Sequence, residues 1–131
     1  MKRKLIFYPP IVAFDVDNTL LETNFPHIIK AKPYCFWLLK EIKEAGWRQI
    51  LFTNREGEYL QQAKDWFKDH GFEFDAYNDN SAIRKEEWEN LGYKDTRKIG
   101  CDVIVDDKSI FWKDDLREVG KRLLEIYDKR V

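Results

Sequence analysis

The sequence predicts an α/β fold, a three-layer sandwich with a Rossmann-like, mostly parallel sheet of about five strands flanked by helices. The main observation is that short apolar runs alternate with longer segments whose apolar residues recur at helical spacing. The second is composition, since 36% charged and 44% hydrophobic residues fit a packed core under a charged surface. This balance excludes disordered and collagen-like chains. The 131 residues suit one domain, residues 1–131, with no separate cap domain.

Four short apolar runs supply the predicted strands. They are Ile11–Phe14, Gln49–Phe52, Phe72–Tyr77 and Val103–Val105. Three of the four contain β-branched residues, which is typical of buried parallel strands. A further run, Leu5–Tyr8, is separated from the first strand by Pro9 and Pro10. Residues 1–10 therefore fit either an extra edge strand or an N-terminal arm.

Three helices are predicted between and after these strands. The first begins near Pro33 and ends before Gly46, the second covers Glu58–His70, and the third covers Asp114–Lys129. Residues 78–97 are polar and irregular, which favours a loop with a short helix. Strands that alternate with helices imply right-handed crossovers, so the carboxyl ends of the parallel strands meet at one edge of the sheet.

Charge and cysteine content narrow the functional classes. The chain has 23 Lys and Arg against 24 Asp and Glu, a net charge of −1, so no general attraction to nucleic acid or membrane is expected. The two cysteines, Cys35 and Cys101, lack the spacing of a metal or redox motif and are predicted to be buried small hydrophobes. No apolar stretch approaches the roughly 20 residues that cross a bilayer, and no signal peptide pattern is present. We expect a soluble, cytoplasmic protein.

Acidic residues follow two of the predicted strands. Asp15 and Asp17 come after the first strand, and Asp106 and Asp107 come directly after the last. Ligands of open α/β sheets bind beyond the carboxyl ends of the strands, so these side chains mark a candidate site. Four carboxylates at one edge repel each other unless a cation lies among them or some hold protons. Carboxylate oxygens without His or Cys ligands indicate Mg²⁺.

Four elements resemble, in order, the four motifs of the haloacid dehalogenase superfamily. They are Phe14–Leu20 (Phe-Asp-Val-Asp-Asn-Thr-Leu, against hhhDxDxT), Thr53, Lys98 and Ile104–Asp107 (Ile-Val-Asp-Asp). The order of these motifs and their placement at strand ends agree with the superfamily over about 95 residues, from Ile11 to Asp107. Three further segments are similar to small capless bacterial and phage hydrolases of that superfamily. They are Thr53–Glu58, Glu73–Asn80 and Arg97–Asp102.

The resemblance implies a Mg²⁺-dependent phosphohydrolase that works through an aspartyl-phosphate. Asp15 is predicted to be the nucleophile, and Asp17 the general acid that protonates the leaving group and later deprotonates water. The resemblance further implies that the backbone carbonyl of Asp17 joins Asp15 and Asp106 around the metal. Asp107 then supports the metal shell through water or holds Lys98.

Two further residues are predicted to assist catalysis. Thr53 offers a hydroxyl and nearby backbone N–H groups to a phosphoryl oxygen, and Lys98 offers a positive charge that offsets negative charge in the transition state. A structural alternative for Thr53 is that it only caps the following helix. Lys85 and Lys94 also precede the fourth strand and remain alternatives for the lysine of the third motif.

Substrate-contacting residues are predicted next to Thr53. Asn54 and Arg55 lie where a substrate phosphate or ribose would be met. The segment Glu22–Lys32 corresponds to the one that forms a short flap over the site in the family.

The substrate itself is not specified by these motifs. The connections between elements, about 12 and about 25 residues, are too short for a cap domain, so we expect an open site. Such a site suits a phosphorylated small molecule or a nucleic-acid end, and an open site with many aromatics makes a homodimer a reasonable expectation. Transfer to an acceptor other than water is left open. The alternative function is a catalytically weak phosphate- or metal-binding regulatory module on the same fold.

Overall fold

The computed structural model describes residues 9–79, 100–110 and 112–130, without the side chains of residues 128–130. Along the chain its elements are β1 (Ile11–Phe14), β2 (Leu21–Asn24), β3 (His27–Ala31), α1 (Cys35–Glu44), β4 (Arg48–Leu51), α2 (Gly57–Asp69), β5 (Ala76–Tyr77), β6 (Val103–Val105) and α3 (Leu116–Arg130). A mostly parallel sheet flanked by three helices confirms the predicted α/β class and its Rossmann-like arrangement.

The main sheet has the strand order β5-β4-β1-β6, with β1 paired in parallel to both β4 and β6. The bounds of β1 and β6 agree with the prediction, and β4 begins and ends one residue earlier than expected. Four strands are described where about five were expected; the run Leu5–Tyr8 lies outside the described residues. Because β1 is central, its carboxyl end lies between the carboxyl ends of β4 and β6.

The third predicted strand is much shorter than Phe72–Tyr77, because only Ala76 and Tyr77 pair with β4. The rings of Phe72 and Phe74 contact each other at 4.9 Å between centroids, and Phe74 packs edge-on against Phe67 of α2 at 5.0 Å. Phe72 and Phe74 therefore pack in an aromatic cluster with α2 instead of extending the strand.

Between β1 and α1 the chain forms an antiparallel hairpin, β2–β3, that strand prediction from sequence missed. Its pairing shifts register between Glu22 and Thr23, so the residues do not alternate in a simple apolar and polar pattern. Backbone hydrogen bonds tie the hairpin base to the loop after β1, for example from Lys32 N to Leu20 O at 2.9 Å. The hairpin falls in the segment to which the family resemblance assigns a flap.

The main core lies on one face of the sheet and collects buried residues from all three helices. Val12 and Phe14 of β1 belong to this cluster, whose helical members are Cys35, Leu38, Leu39, Ile42, Ala63, Phe67, Leu116 and Leu123. The alternate residues of the sheet form a second cluster on the opposite face, made of Ile11, Ala13, Ile50 and Ala76. This packing fixes β1 in the middle of the domain and with it the loop that follows β1.

Helix bounds agree with prediction to within two residues. Gly46 adopts φ +106° immediately beyond α1, where a Cβ would lie 3.1 Å from the Tyr127 hydroxyl oxygen, so glycine suits this helix end. In the part of the chain that the structure describes, no helix combines the length and apolar character needed to cross a membrane.

Candidate metal centre and active site

Three carboxylates meet where β1 and β6 end. The strands are joined at this edge by a hydrogen bond from Asp15 N to Val105 O at 3.0 Å. Asp15, Asp106 and Asp107 each offer a carboxylate oxygen, and the three oxygens lie within 4.8 Å of one another. We call these three residues the acidic cluster. The sequence predicts that four carboxylates, these three and that of Asp17, lie together at this edge, although Asp106 follows Asp15 by 91 positions in the chain.

Thr19 contacts two members of the acidic cluster, Asp15 and Asp107, and is fully buried. Its Oγ1 lies 3.2 Å from Oδ2 of Asp15 and 3.2 Å from Oδ1 of Asp107, and it accepts a hydrogen bond from Asp107 N at 2.9 Å. A hydroxyl has one hydrogen, so it donates to one carboxylate at a time. Sequence analysis did not assign Thr19 to the site, although it is the Thr of the Asp-x-Asp-x-Thr pattern.

The acidic cluster is electrostatically unfavourable without a cation. Burial, and then the negative charge of Asp106, raise the pKa of Asp15 from 3.8 to about 7. At neutral pH a proton or a cation is therefore needed to keep these groups together. Three hard carboxylate oxygens at this spacing, with no nitrogen or sulfur donor in the set, fit Mg²⁺.

Asp17 has different partners. Its carboxylate lies outside the acidic cluster and forms a two-pronged ion pair with Arg55, from Nε to Oδ2 at 2.9 Å and from Nη2 to Oδ1 at 2.8 Å. Burial opposes ionisation here, but hydrogen bonds from Arg55 and Thr23 outweigh it and lower the pKa of Asp17. Asp17 is therefore held ionised close to the acidic cluster.

Arg55 is 1% exposed, and each of its five N–H groups has a protein acceptor. These acceptors are both carboxylate oxygens of Asp17, the carbonyl oxygens of Pro26 and Tyr59, and Oε1 of Gln62. The predicted substrate contact needs an outward-facing donor, and in this arrangement the guanidinium has none to offer. Sequence reasoning missed this role because Asp17 lies 38 residues away in the chain.

Thr53 and Asn54 lie in the loop after β4, which is joined to the end of β1 by a hydrogen bond from Phe52 N to Phe14 O. Thr53 is buried, and its Oγ1 accepts from the backbone N–H of Arg55 at 3.1 Å. Its own N–H donates to Oδ1 of Asn78 at 2.7 Å. Of the two donors that Thr53 was predicted to offer a phosphoryl oxygen, the amide is used in the bond to Asn78, and the hydroxyl hydrogen takes part in neither bond. Asn54 is exposed.

The remaining site predictions concern lysines and cysteines. Lys98, Lys94 and Lys85 all lie outside the described residues, so the choice among them stays a prediction. Cys35 is buried, and burial raises the pKa of its thiol to about 12, which makes it unreactive. Cys101 is half-buried and packs against the second core cluster.

Comparison with known proteins places the fold but names no activity. No model of a protein family matches the chain, and no curated protein matches it. Among solved structures, one described as a conserved protein from Bacteroides thetaiotaomicron is similar, with a TM-score of 0.77 and 28% sequence identity. The likeness covers 91% of this chain and 93% of that one. The fold and site define a small α/β protein with an acidic cluster at the carboxyl edge of its sheet.

Proposed function

We propose that this protein is a Mg²⁺-dependent phosphohydrolase of the haloacid dehalogenase type, which forms a transient aspartyl-phosphate on Asp15. The observation that carries the proposal is the convergence of Asp15, Asp106 and Asp107 at the ends of two neighbouring strands. An acidic group with a pKa near 7, facing other carboxylates, supports a site that is completed by a divalent cation.

Asp15, Asp106 and Asp107 would hold the Mg²⁺, with the backbone carbonyl of Asp17 as a further oxygen ligand. When bound, Mg²⁺ offsets the negative charge of the carboxylates and of the phosphoryl group. The Thr19 hydroxyl holds the Asp15 and Asp107 carboxylates in position. The lysine of the third motif, predicted to be Lys98, would add a positive charge.

In the first half-reaction, a carboxylate oxygen of Asp15 attacks the phosphorus atom and the bond to the leaving-group oxygen breaks. That oxygen takes a proton from Asp17, which enters this step in its protonated form, a form that the ion pair with Arg55 disfavours. In the second half-reaction, water attacks the phosphorus and gives a proton to Asp17, and the bond between the phosphorus and the Asp15 oxygen breaks. Phosphate is released and the Asp15 carboxylate is restored. The lowered pKa of Asp17 favours its role as the base in this second half-reaction.

The proposal is tested by hydrolysis of p-nitrophenyl phosphate with Mg²⁺. We expect turnover by the wild type, loss of turnover in EDTA, and loss of turnover in Asp15→Asn, which keeps the shape of the side chain but removes the nucleophile. Asp114→Asn is a matched control, because Asp114 is an exposed carboxylate that pairs with Lys32 and is not a member of the acidic cluster.

The same assay separates the proposal from its alternative. A regulatory module that binds phosphate or metal without turnover predicts Mg²⁺ binding but no hydrolysis in the wild type. Because the motifs do not specify the substrate, a screen of phosphorylated metabolites and of oligonucleotides with 3′- or 5′-phosphates would follow. A cytoplasmic location belongs to this proposal, since both cysteines are free thiols.

A further inference from the structure

We propose that Arg55 is the positioning residue of this site: its guanidinium fixes the Asp17 carboxylate and the turn of the β2–β3 hairpin in one arrangement. Arg55 then acts through Asp17 and does not touch the substrate. This inference rests on the function proposed above, and it replaces the substrate contact that the sequence suggested for Arg55.

The contact with Asp17 defines both the position and the plane of the carboxylate. Two parallel hydrogen bonds, at 2.9 and 2.8 Å, join the planar fork of Arg55 to both oxygens of Asp17. Such a two-pronged pair restricts rotation of the carboxylate more than a single bond or a lysine ammonium does. It uses one lone pair on each oxygen, and Thr23 donates a further hydrogen bond to the same carboxylate. The Asp17 side chain is 23% exposed, which leaves it open to solvent or a ligand.

The same guanidinium contacts the hairpin. Nη2, which binds Asp17, also donates to the carbonyl oxygen of Pro26 at 3.2 Å. The Phe25 ring lies over the guanidinium carbon at 5.1 Å, a cation–π contact. The hairpin turn and the proposed acid–base residue are therefore attached to one buried cation, and displacement of one disturbs the other.

Helix α2 holds Arg55 from the opposite side. Nη1 donates to the carbonyl oxygen of Tyr59 at 3.3 Å and to Oε1 of Gln62 at 3.1 Å. These contacts fix the guanidinium to the first turns of α2, which packs on the main core through Ala63 and Phe67. Arg55 thus links Asp17 and the hairpin turn to a helix that is packed on the core.

Two other roles for Arg55 make different kinetic predictions. A substrate contact would raise KM when the guanidinium is removed. A role in folding alone would reduce activity by the same factor whether Asp17 is present or not. A positioning role lowers kcat only while Asp17 is there to be positioned.

The test is a double-mutant cycle with Arg55→Met, Asp17→Asn and the double variant, assayed with p-nitrophenyl phosphate and Mg²⁺. We expect Arg55→Met to lower kcat about tenfold or more, because acid–base catalysis contributes about 10²- to 10⁴-fold, and to leave KM within about threefold of the wild type. In the Asp17→Asn background, Arg55→Met should lower kcat by no more than about twofold, since coupled residues are not additive.

Two further variants serve as controls. Arg55→Lys keeps the charge but not the planar fork, and should not restore kcat. Arg117→Met makes the same substitution at an exposed arginine on α3, whose guanidinium lies over the Tyr34 ring at 5.7 Å, and should leave kcat unchanged. A raised KM with unchanged kcat in Arg55→Met, or full additivity in the cycle, would overturn the positioning role while the proposed function stood.

Hydrogen exchange followed by mass spectrometry tests the attachment of the hairpin without relying on turnover. Amides of residues 21–31 should exchange faster in Arg55→Met than in the wild type, with the amides of α3 unchanged. Unchanged exchange in the hairpin contradicts the attachment. If the wild type hydrolyses no phosphate ester, the proposed function is wrong, and so is the predicted effect of Arg55 on kcat. The exchange result then decides on its own whether Arg55 holds the hairpin.

Discussion

The acidic cluster and the Asp17–Arg55 ion pair lie next to each other but solve the problem of a partly buried carboxylate in different ways. Asp15 faces other carboxylates, and burial with the charge of Asp106 raises its pKa to about 7. Asp17, two residues further on, has a buried guanidinium as its partner, and its pKa is lowered. The surroundings of these two identical side chains thus shift their pKa values in opposite directions.

The difference indicates where a cation from outside is needed and where the protein supplies its own. Arg55 completes the charge balance of Asp17 within the fold. Among the described residues, the hydrogen bonds to the acidic cluster come from Thr19, from backbone amides and from within the cluster, and none of these donors carries a positive charge. A divalent ion is therefore expected at the acidic cluster and not at the Asp17–Arg55 pair.

The largest expected effect concerns activity. Asp15→Asn should lower kcat for a phosphate ester by about 10³-fold or more, because the nucleophile itself is removed. In EDTA at pH 8, the same variant should unfold at an equal or higher urea concentration than the wild type, because one of the facing negative charges is gone. A variant that kept kcat within about tenfold of the wild type would contradict the assignment of Asp15.

The same substitution two residues further on should have the opposite effect on stability. Asp17→Asn leaves buried Arg55 without its anionic partner, so the free energy of unfolding should fall by about 3 kcal/mol. Urea denaturation of both variants under identical conditions measures the contrast. If Asp15→Asn and Asp17→Asn were equally stable, the difference drawn between the two regions would be wrong.

A smaller loss of stability is expected at Thr19. Thr19→Val keeps the shape of the side chain but removes the oxygen that accepts from Asp107 N, so the free energy of unfolding should fall by about 1–2 kcal/mol. Thr19→Ser keeps the oxygen and should lose less. Mg²⁺ affinity, measured by calorimetric titration, should fall in Thr19→Val because the Asp15 and Asp107 carboxylates lose their common hydrogen-bond partner. If the free energy of unfolding and the Mg²⁺ affinity of Thr19→Val were unchanged, the role given to Thr19 in the site would be wrong.

The smallest expected effect is a dependence of thermal stability on pH. Between pH 3.8, the ordinary pKa of Asp15, and about 7, its folded-state value, the folded protein binds more protons than the unfolded chain. Without metal, the contribution of Asp15 to stability therefore decreases as pH rises through this range. Saturating Mg²⁺ should raise the melting temperature by a few degrees more at pH 8 than at pH 5, since a proton competes at the lower pH. Asp15→Asn should abolish this difference; its persistence would point to another group.

The sequence predicted the elements that follow from local patterns. Apolar runs located β1 and β6 to the residue, and the Asp residues that follow them could be placed at one edge because parallel strands end together. It did not predict β2–β3, where the register shift and polar strand residues hide the alternation. The strand β5 was predicted, but as Phe72–Tyr77, which is too long because Phe72 and Phe74 pack in the aromatic cluster with α2 instead of entering the sheet.

The partners of Arg55 could not be predicted for a related reason. A guanidinium after a strand end fits a substrate contact and a buried ion pair equally well in sequence. The choice depends on whether Asp17, Pro26 and Gln62 reach it, and these residues come from three different segments of the chain. Only the tertiary arrangement decides between the two roles.

The most direct test of the central claim is a crystal structure of the protein grown with Mg²⁺ and beryllium fluoride, a mimic of a carboxyl-bound phosphoryl group. We predict a metal ion held by oxygens of Asp15, Asp106 and Asp107, and a fluoride complex joined to a carboxylate oxygen of Asp15. A metal bound elsewhere, or an acidic cluster that carries neither metal nor fluoride complex at saturating concentrations of both, would contradict the account.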